Sequence, residues 1–153
     1  MFSREEKKQL NILFFEQFSR YMSSHRIIGG GGKSWHAYKT GIKGLYFRIL
    51  THPEVAIAID LQFKDDSIRE LVFDQFVELK RLLASEWEEE PLFEKDLLYT
   101  SGESLSRISV SLNESYFFDQ KQWPVITAWL EEKLVGLDSF WDHTGDILKE
   151  LVR

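Results

Sequence analysis

Two alternating apolar runs joined by a short turn most constrain the fold of this chain. From Val55 to Lys64, the residues Val55, Ile57, Ile59, Leu61 and Phe63 share one side of an extended backbone. Ala56, Ala58, Asp60, Gln62 and Lys64 share the other. Side chains alternate across a strand, and a slip of one residue would expose the whole apolar set, so the pattern specifies both a strand and its register. Upstream, Leu45, Phe47 and Ile49 alternate with Tyr46, Arg48 and Leu50, and Thr51 to Glu54 supplies a turn that contains Pro53. The two runs predict an antiparallel hairpin.

Helical periods flank it. Ser3 followed by Glu6 has the spacing of a capping box, and Leu10, Leu13, Phe14, Gln17, Phe18 and Tyr21 recur at threes and fours. That helix is expected to end near Ser23 or Ser24, and the side-chain-free run Gly29 to Gly32 then reads as a flexible or sharply turning loop. After the hairpin, Asp65, Asp66 and Ser67 open a second helix, with Ser67 and Glu70 as its capping pair. Its buried stripe runs through Ile68, Leu71, Val72, Phe76, Leu79, Leu82 and Leu83 to a stop near Ser85, followed by an acidic loop from Glu86 to Pro91. Leu92 to Tyr99 and Leu105 to Leu112, on either side of a Thr100–Glu103 turn, predict a second hairpin. Pro124 suits the first turn of a last helix, which buries Ile126, Trp129, Leu130, Leu134, Leu137, Phe140 and Trp141. Gly145 is expected to interrupt it before a short amphipathic tail. The expected class is α+β: an antiparallel sheet of two hairpins covered by helices, in the order α-β-β-α-β-β-α. Residues 1–153 are expected to form one domain, with a helix over 1–24, a glycine-rich loop over 25–34, and the sheet and remaining helices over 35–153.

Charge is distributed unevenly. The chain carries a formal charge of −6, yet Gln17 to Pro53 contains no Asp or Glu while holding Arg20, Arg26, Lys33, Lys39, Lys43 and Arg48. Residues 54–153 hold 22 acids against 10 bases. The acidic balance argues against a dedicated duplex-DNA binder, so any nucleic-acid role falls to a local patch. With no cysteine, a disulfide framework, a Cys-based zinc site and a thiol nucleophile are all excluded. The start MFSREEKKQ lacks a signal-peptide core and no apolar run reaches membrane-spanning length, which gives a cytoplasmic protein and no membrane partner as the expectation.

Few constellations could carry chemistry. GGGGKS fails the phosphate-loop spacing because the first required glycine is Ile27, and a helix precedes the loop instead of following it. Asp60, Gln62 and Lys64 share a strand face in a manner resembling the end of a restriction-type metal site, with Gln62 in place of an acid. Holding the ion needs at least two converging carboxylates, and the preceding strand lies in the acid-free window. The alternative role of Asp60 is an ion pair with Arg48 across the hairpin. His25, His36, His52 and His143 are too scattered for a recognisable ligand pair, so neither a metal nor a cofactor is expected.

Interleaved cations and rings mark the better candidate: Lys33, Trp35, His36, Tyr38, Lys39, Lys43 and Arg48. This mixture suits phosphate contact plus base stacking on single-stranded or distorted nucleic acid. The same residues also fit docking onto an acidic protein partner, or rings that close the core with lysines solvated outside.

From Trp35 to Arg48, WHAYKTGIKGLYFR, the sequence resembles a bacterial family, the domain-of-unknown-function family 4268. The resemblance continues at Val55–Gln62, at Ile68-Arg69-Glu70 with Phe73 and Phe76, and at Glu94-Lys95-Asp96. It extends to Gln122-Trp123-Pro124 and Asp138-Ser139-Phe140-Trp141, and so spans nearly the whole chain. Some longer members carry a restriction-endonuclease-like region before this domain, so the resemblance implies an accessory role near DNA. It transfers no catalytic residue. The expected function is a non-enzymatic binding or accessory module, with residues 33–48 as a surface for nucleic acid. A degenerate or metal-dependent nuclease using Asp60, Gln62 and Lys64, and a small acidic protein-binding or chaperone-like dimer, are the two rivals.

Overall fold

The computed structural model describes residues 1–99 and 101–153; Thr100, the first residue of the expected second turn, lies outside the described residues. Strands β1 (Leu45–Leu50), β2 (Val55–Leu61), β3 (Leu92–Leu98) and β4 (Ser104–Leu112) form one antiparallel sheet in the order β1-β2-β4-β3. The two hairpins are β1–β2 and β3–β4, and β2 pairs with β4 between them. The α+β class is as the pattern predicts.

Register follows the alternation. Phe47, Ile59, Ile108 and Phe93 line up across all four strands on the face that packs on the helices. Tyr46, Asp60, Arg107 and Glu94 form a row on the opposite face, and Arg48, Ala58, Ser109 and Leu92 form the next. Every residue of β2 is buried, including those on the polar side of the alternation.

Helix α1 (Arg4–Tyr21) begins with the expected capping box: Ser3 Oγ accepts the Glu6 N–H and Glu6 Oε1 accepts the Ser3 N–H. Its buried stripe is narrower than its periodicity suggests. Phe14, Phe18 and, in the following 3₁₀ turn, Met22 are buried, whereas Leu13 and Tyr21 are exposed. Phe14 meets Phe117 edge-on at 4.9 Å and Trp123 at 5.2 Å, joining α1 to the start of the last helix. Each such ring taken out of water contributes about 2–3 kcal/mol.

The helix expected after β2 is two helices, α2 (Asp66–Glu78) and α3 (Lys80–Trp87). Asp65 is the cap in place of Ser67, accepting the Ser67 and Ile68 N–H groups through Oδ1. The break at Leu79 re-aims α3 along α4, and it brings Trp87, expected in a loop, into the core at 0% exposure. Trp87 Nε1 donates to the Lys133 carbonyl at 3.1 Å, while the buried Lys133 ammonium donates to the Trp87 carbonyl. This clasp holds α4.

Helix α4 runs unbroken from Trp123 to Val152, so Gly145 does not end it. A glycine inside a helix costs about 1 kcal/mol relative to alanine. Here Gly145 is buried against the Trp141 indole, and packing outweighs that cost. No helix among the described residues is long and apolar enough to cross a membrane.

Candidate functional site

The acid-free segment is organised by an acid from far along the chain. Asp138, on the buried face of α4, accepts the Ile28 N–H at 2.8 Å, the Gly29 N–H at 2.7 Å and the Tyr38 hydroxyl at 2.6 Å. Gly31 and Lys39 exchange two backbone hydrogen bonds of 2.9 Å in an isolated antiparallel bridge. The glycine run is therefore tied down at Gly29 and at Gly31, in keeping with the sharply turning alternative of the two expected for it. Gly29 packs so closely on α4 that a Cβ there would lie 2.4 Å from the Asp138 carbonyl oxygen. At Gly30 it would lie 2.4 Å from the Tyr38 ring. These contacts explain why side chains are missing where the chain passes between helix and ring.

The candidate residues of the window divide into rings turned inward and cations turned outward. Trp35 is buried, with Nε1 donating to the His25 carbonyl at 3.2 Å. Tyr38 is half-buried, and its ring stacks in a tilted series on Phe47, which meets Trp141 edge-on. Burial, and then the hydrogen bond to Asp138, push the Tyr38 phenol far above its ordinary value. Its hydroxyl and much of its ring are thus committed to the interior. His36 lies outside, 5.2 Å from the Phe15 ring, and partial burial lowers its pKa, so it is neutral at pH 7.

Lys33, Lys39 and Lys43 are exposed, and among the described residues none has an acidic partner at salt-bridge distance. The turn that presents Lys39 and Lys43 is firm. Thr40 is buried; its Oγ1 donates to the Leu45 carbonyl at 2.9 Å and accepts the Ile42 N–H at 3.1 Å, while Trp141 Nε1 donates to the Thr40 carbonyl at 3.1 Å. Two more cations lie beside it. A Cβ on Gly41 would sit 3.2 Å from Lys149 Cε, and Gly44 accepts the Gln62 N–H, so Lys43 and Lys64 emerge at the same end of the β1–β2 pair.

Asp60 is drawn into an ion-pair network, whereas Gln62 and Lys64 line a cleft in which it has no part. Asp60 is 0% exposed and takes Arg107 in a two-pronged contact, Nε to Oδ1 at 2.7 Å and Nη2 to Oδ2 at 2.9 Å. Arg48 Nη1 adds a bond to Oδ2 at 2.8 Å and another to the Tyr99 hydroxyl at 2.9 Å. The Asp60–Arg48 pair across the hairpin is as expected, but the residue directly opposite Asp60 on β4 is Arg107. The contact with Asp60 raises the Arg107 pKa. Both carboxylate oxygens thus face guanidinium groups. Among the described residues, no three His, Asp or Glu side chains converge as metal ligands would. Gln62 and Lys64 instead line a cleft of about 620 Å³ with Tyr46, Arg48, Asp66 and Glu103. The Arg48 guanidinium lies 4.7 Å from the Tyr46 ring centre.

A helix-backed, four-stranded antiparallel sheet with a cationic rim and a salt-bridged outer face defines a small α+β protein built around one hydrophobic core. The chain belongs to the family described as domain of unknown function DUF4268, whose model matches residues 10–144. No curated protein and no solved structure matches it.

Proposed function

We propose that the chain is a non-enzymatic accessory module that contacts nucleic acid through the cations of residues 33–48. The observation that carries this reading is the set Lys33, Lys39 and Lys43, exposed and unpaired among the described residues, in a chain whose remainder is strongly acidic. Lys64 and Lys149 extend the same rim. Ammonium groups without carboxylate partners are free to displace counterions from phosphates, which is the dominant source of non-specific affinity. With Trp35 and Tyr38 packed inward, stacking contributes little and the contact is chiefly to the backbone. Specificity on such a surface comes from shape and from the register in which the firm Thr40 turn presents its two lysines.

Titration of fluorescent single- and double-stranded oligonucleotides across a salt series tests this. Affinity is expected to fall with salt, and a Lys39→Glu, Lys43→Glu variant is expected to flatten the log–log slope by roughly 0.7–0.9 for each phosphate no longer neutralised. Failure to bind at low salt, or an unchanged slope in the variant, sinks the reading.

A further inference from the structure

A second cleft, of about 400 Å³, lies between the end of α1 and the glycine segment. Its size falls within the roughly 300–1,000 Å³ typical of small-molecule sites. Part of its lining is apolar: Phe18, Met22 and Trp35, all buried. Gly30, Gly32, Lys33 and Ser34 also line it, together with Arg26. The backbone N–H groups of Gly30, Gly32, Lys33 and Ser34 have no protein acceptor among the described residues. The Ser34 hydroxyl makes no capping bond to the turn that follows it. Arg26 and Lys33 are exposed and form no ion pair among the described residues.

Among the described residues, no carboxylate lines the cleft. Glu131, whose carboxylate reaches the lining residue His25, is already held by His25 Nε2 at 2.6 Å and by the Tyr21 hydroxyl at 2.7 Å. The result is a pocket that carries two cations, free backbone N–H groups and no carboxylate, with apolar side chains in the same lining. Successive backbone N–H groups together with an arginine and a lysine match the oxygens of a phosphate dianion. The apolar side chains suit the organic part of a phosphate ester. This is not the phosphate loop excluded on spacing, because only the three-residue 3₁₀ turn Trp35–Ala37 follows the glycines and one of the two cations, Arg26, precedes them in the chain.

We propose that this cleft receives a phosphate monoester: the terminal phosphate of a nucleotide or of a nucleic-acid strand. The strand form deepens the nucleic-acid reading and rests on it, whereas the free-nucleotide form does not. Isothermal titration of the full chain with inorganic phosphate, adenosine 5′-monophosphate and adenosine separates phosphate recognition from base recognition. A short single strand with and without a 5′-phosphate separates the two sources, and amide shifts of Gly30 to Ser34 in a nitrogen-15 spectrum locate the binding. The monophosphate is expected to bind about tenfold to a hundredfold tighter than adenosine, as charge-assisted hydrogen bonds would give. Arg26→Gln with Lys33→Gln should abolish that preference while leaving the melting temperature unchanged, since both side chains are exposed. Monophosphate binding without any oligonucleotide binding upholds the cleft and ends the nucleic-acid reading. Oligonucleotide binding indifferent to the 5′-phosphate, with no shift at Gly30 to Ser34 on adding the monophosphate, overturns the cleft and spares the lysine surface.

Discussion

Asp60 on β2 and Asp138 on α4 are both at most 2% exposed, yet the chain accommodates them by opposite means. Asp60 is surrounded by charge, with Arg107 and Arg48 supplying three hydrogen bonds from two guanidinium groups. Among the described residues Asp138 meets only neutral donors, two backbone N–H groups and a phenol. A carboxylate in a low-dielectric interior needs either compensation by countercharge or saturation by hydrogen bonds, and this fold uses one device on each side of its sheet. The consequences differ. Charge pairing at Asp60 stitches β1, β2 and β4 together on the outer face and occupies the oxygens a catalytic acid would need. Donor saturation at Asp138 fastens a side-chain-free loop to a distant helix, and so fixes where the cationic segment leaves the core.

The largest break of this comparison is Asp138→Ala. It strands the Ile28 and Gly29 N–H groups and the Tyr38 hydroxyl at once, each worth about 1–3 kcal/mol when left unsatisfied in the interior. Allowing for partial relaxation, about 3–5 kcal/mol of stability is expected to disappear in urea unfolding. The Ile28 and Gly29 amides should also lose hydrogen-exchange protection. A loss below about 1 kcal/mol would mean that the glycine segment is held by packing on α4 instead.

On the other side, Arg107→Ala leaves Asp60 with Arg48 as its one remaining countercharge among the described residues. Breaking a buried pair by removing one partner costs about 3–5 kcal/mol, and the surviving arginine reduces the expectation to about 2–3 kcal/mol. Asp60→Ala should cost less than Arg107→Ala. The two freed guanidinium groups, on side chains 33% and 22% exposed, can take up water, whereas the Asp60 oxygen left without Arg107, on a side chain at 0% exposure, cannot. Parallel denaturant titrations of the two variants give the order. The reverse order would show that the arginines, not the aspartate, are the costly groups to leave unpaired.

How much of this was legible in the sequence depends on the distance over which each contact acts. The Asp60–Arg48 pair follows from a hairpin with a short turn, where alternation alone puts both residues on one face. Arg107 reaches Asp60 through a β2–β4 pairing between residues 47 positions apart, and no local pattern announces which strands become neighbours. Asp138 left a signal that alternation and composition do not weigh: an acid on the apolar stripe defined by Leu134, Leu137 and Trp141. Lys133, buried beside Leu130 and Leu134, is the same kind of signal. A charged residue on a buried helical face requires a partner, and a run of glycines is a place where a backbone can come close enough to be one. The break at Leu79 had no such marker. Neither glycine nor proline stands there, and the turn follows from the packing of Leu83 and Trp87 against α4, a tertiary effect. Lys33, Lys39 and Lys43 were readable as a cationic surface, whereas the inward turn of Tyr38 depended on a helix a hundred residues away.

The smallest expected effect isolates one of the three donors. Tyr38→Phe removes only the hydroxyl bond to Asp138 and leaves the ring on Phe47, so about 1–2 kcal/mol is expected at neutral pH. Its pH dependence is more telling. Burial and the Asp138 contact raise the Tyr38 phenol pKa in the folded protein, while in the unfolded chain it returns to its ordinary value near 10.0. Below that value both states hold the proton and pH has no effect through this group. Above it the unfolded state releases the proton and the folded state keeps it, so the folded state binds more protons and stability falls as pH rises. The wild type should therefore lose stability between about pH 10 and 11.5 more steeply than Tyr38→Phe. Urea midpoints of the two proteins across that window give the comparison. Parallel curves would show that Tyr38 ionises with the exposed tyrosines, and that Asp138 is held by the backbone donors alone.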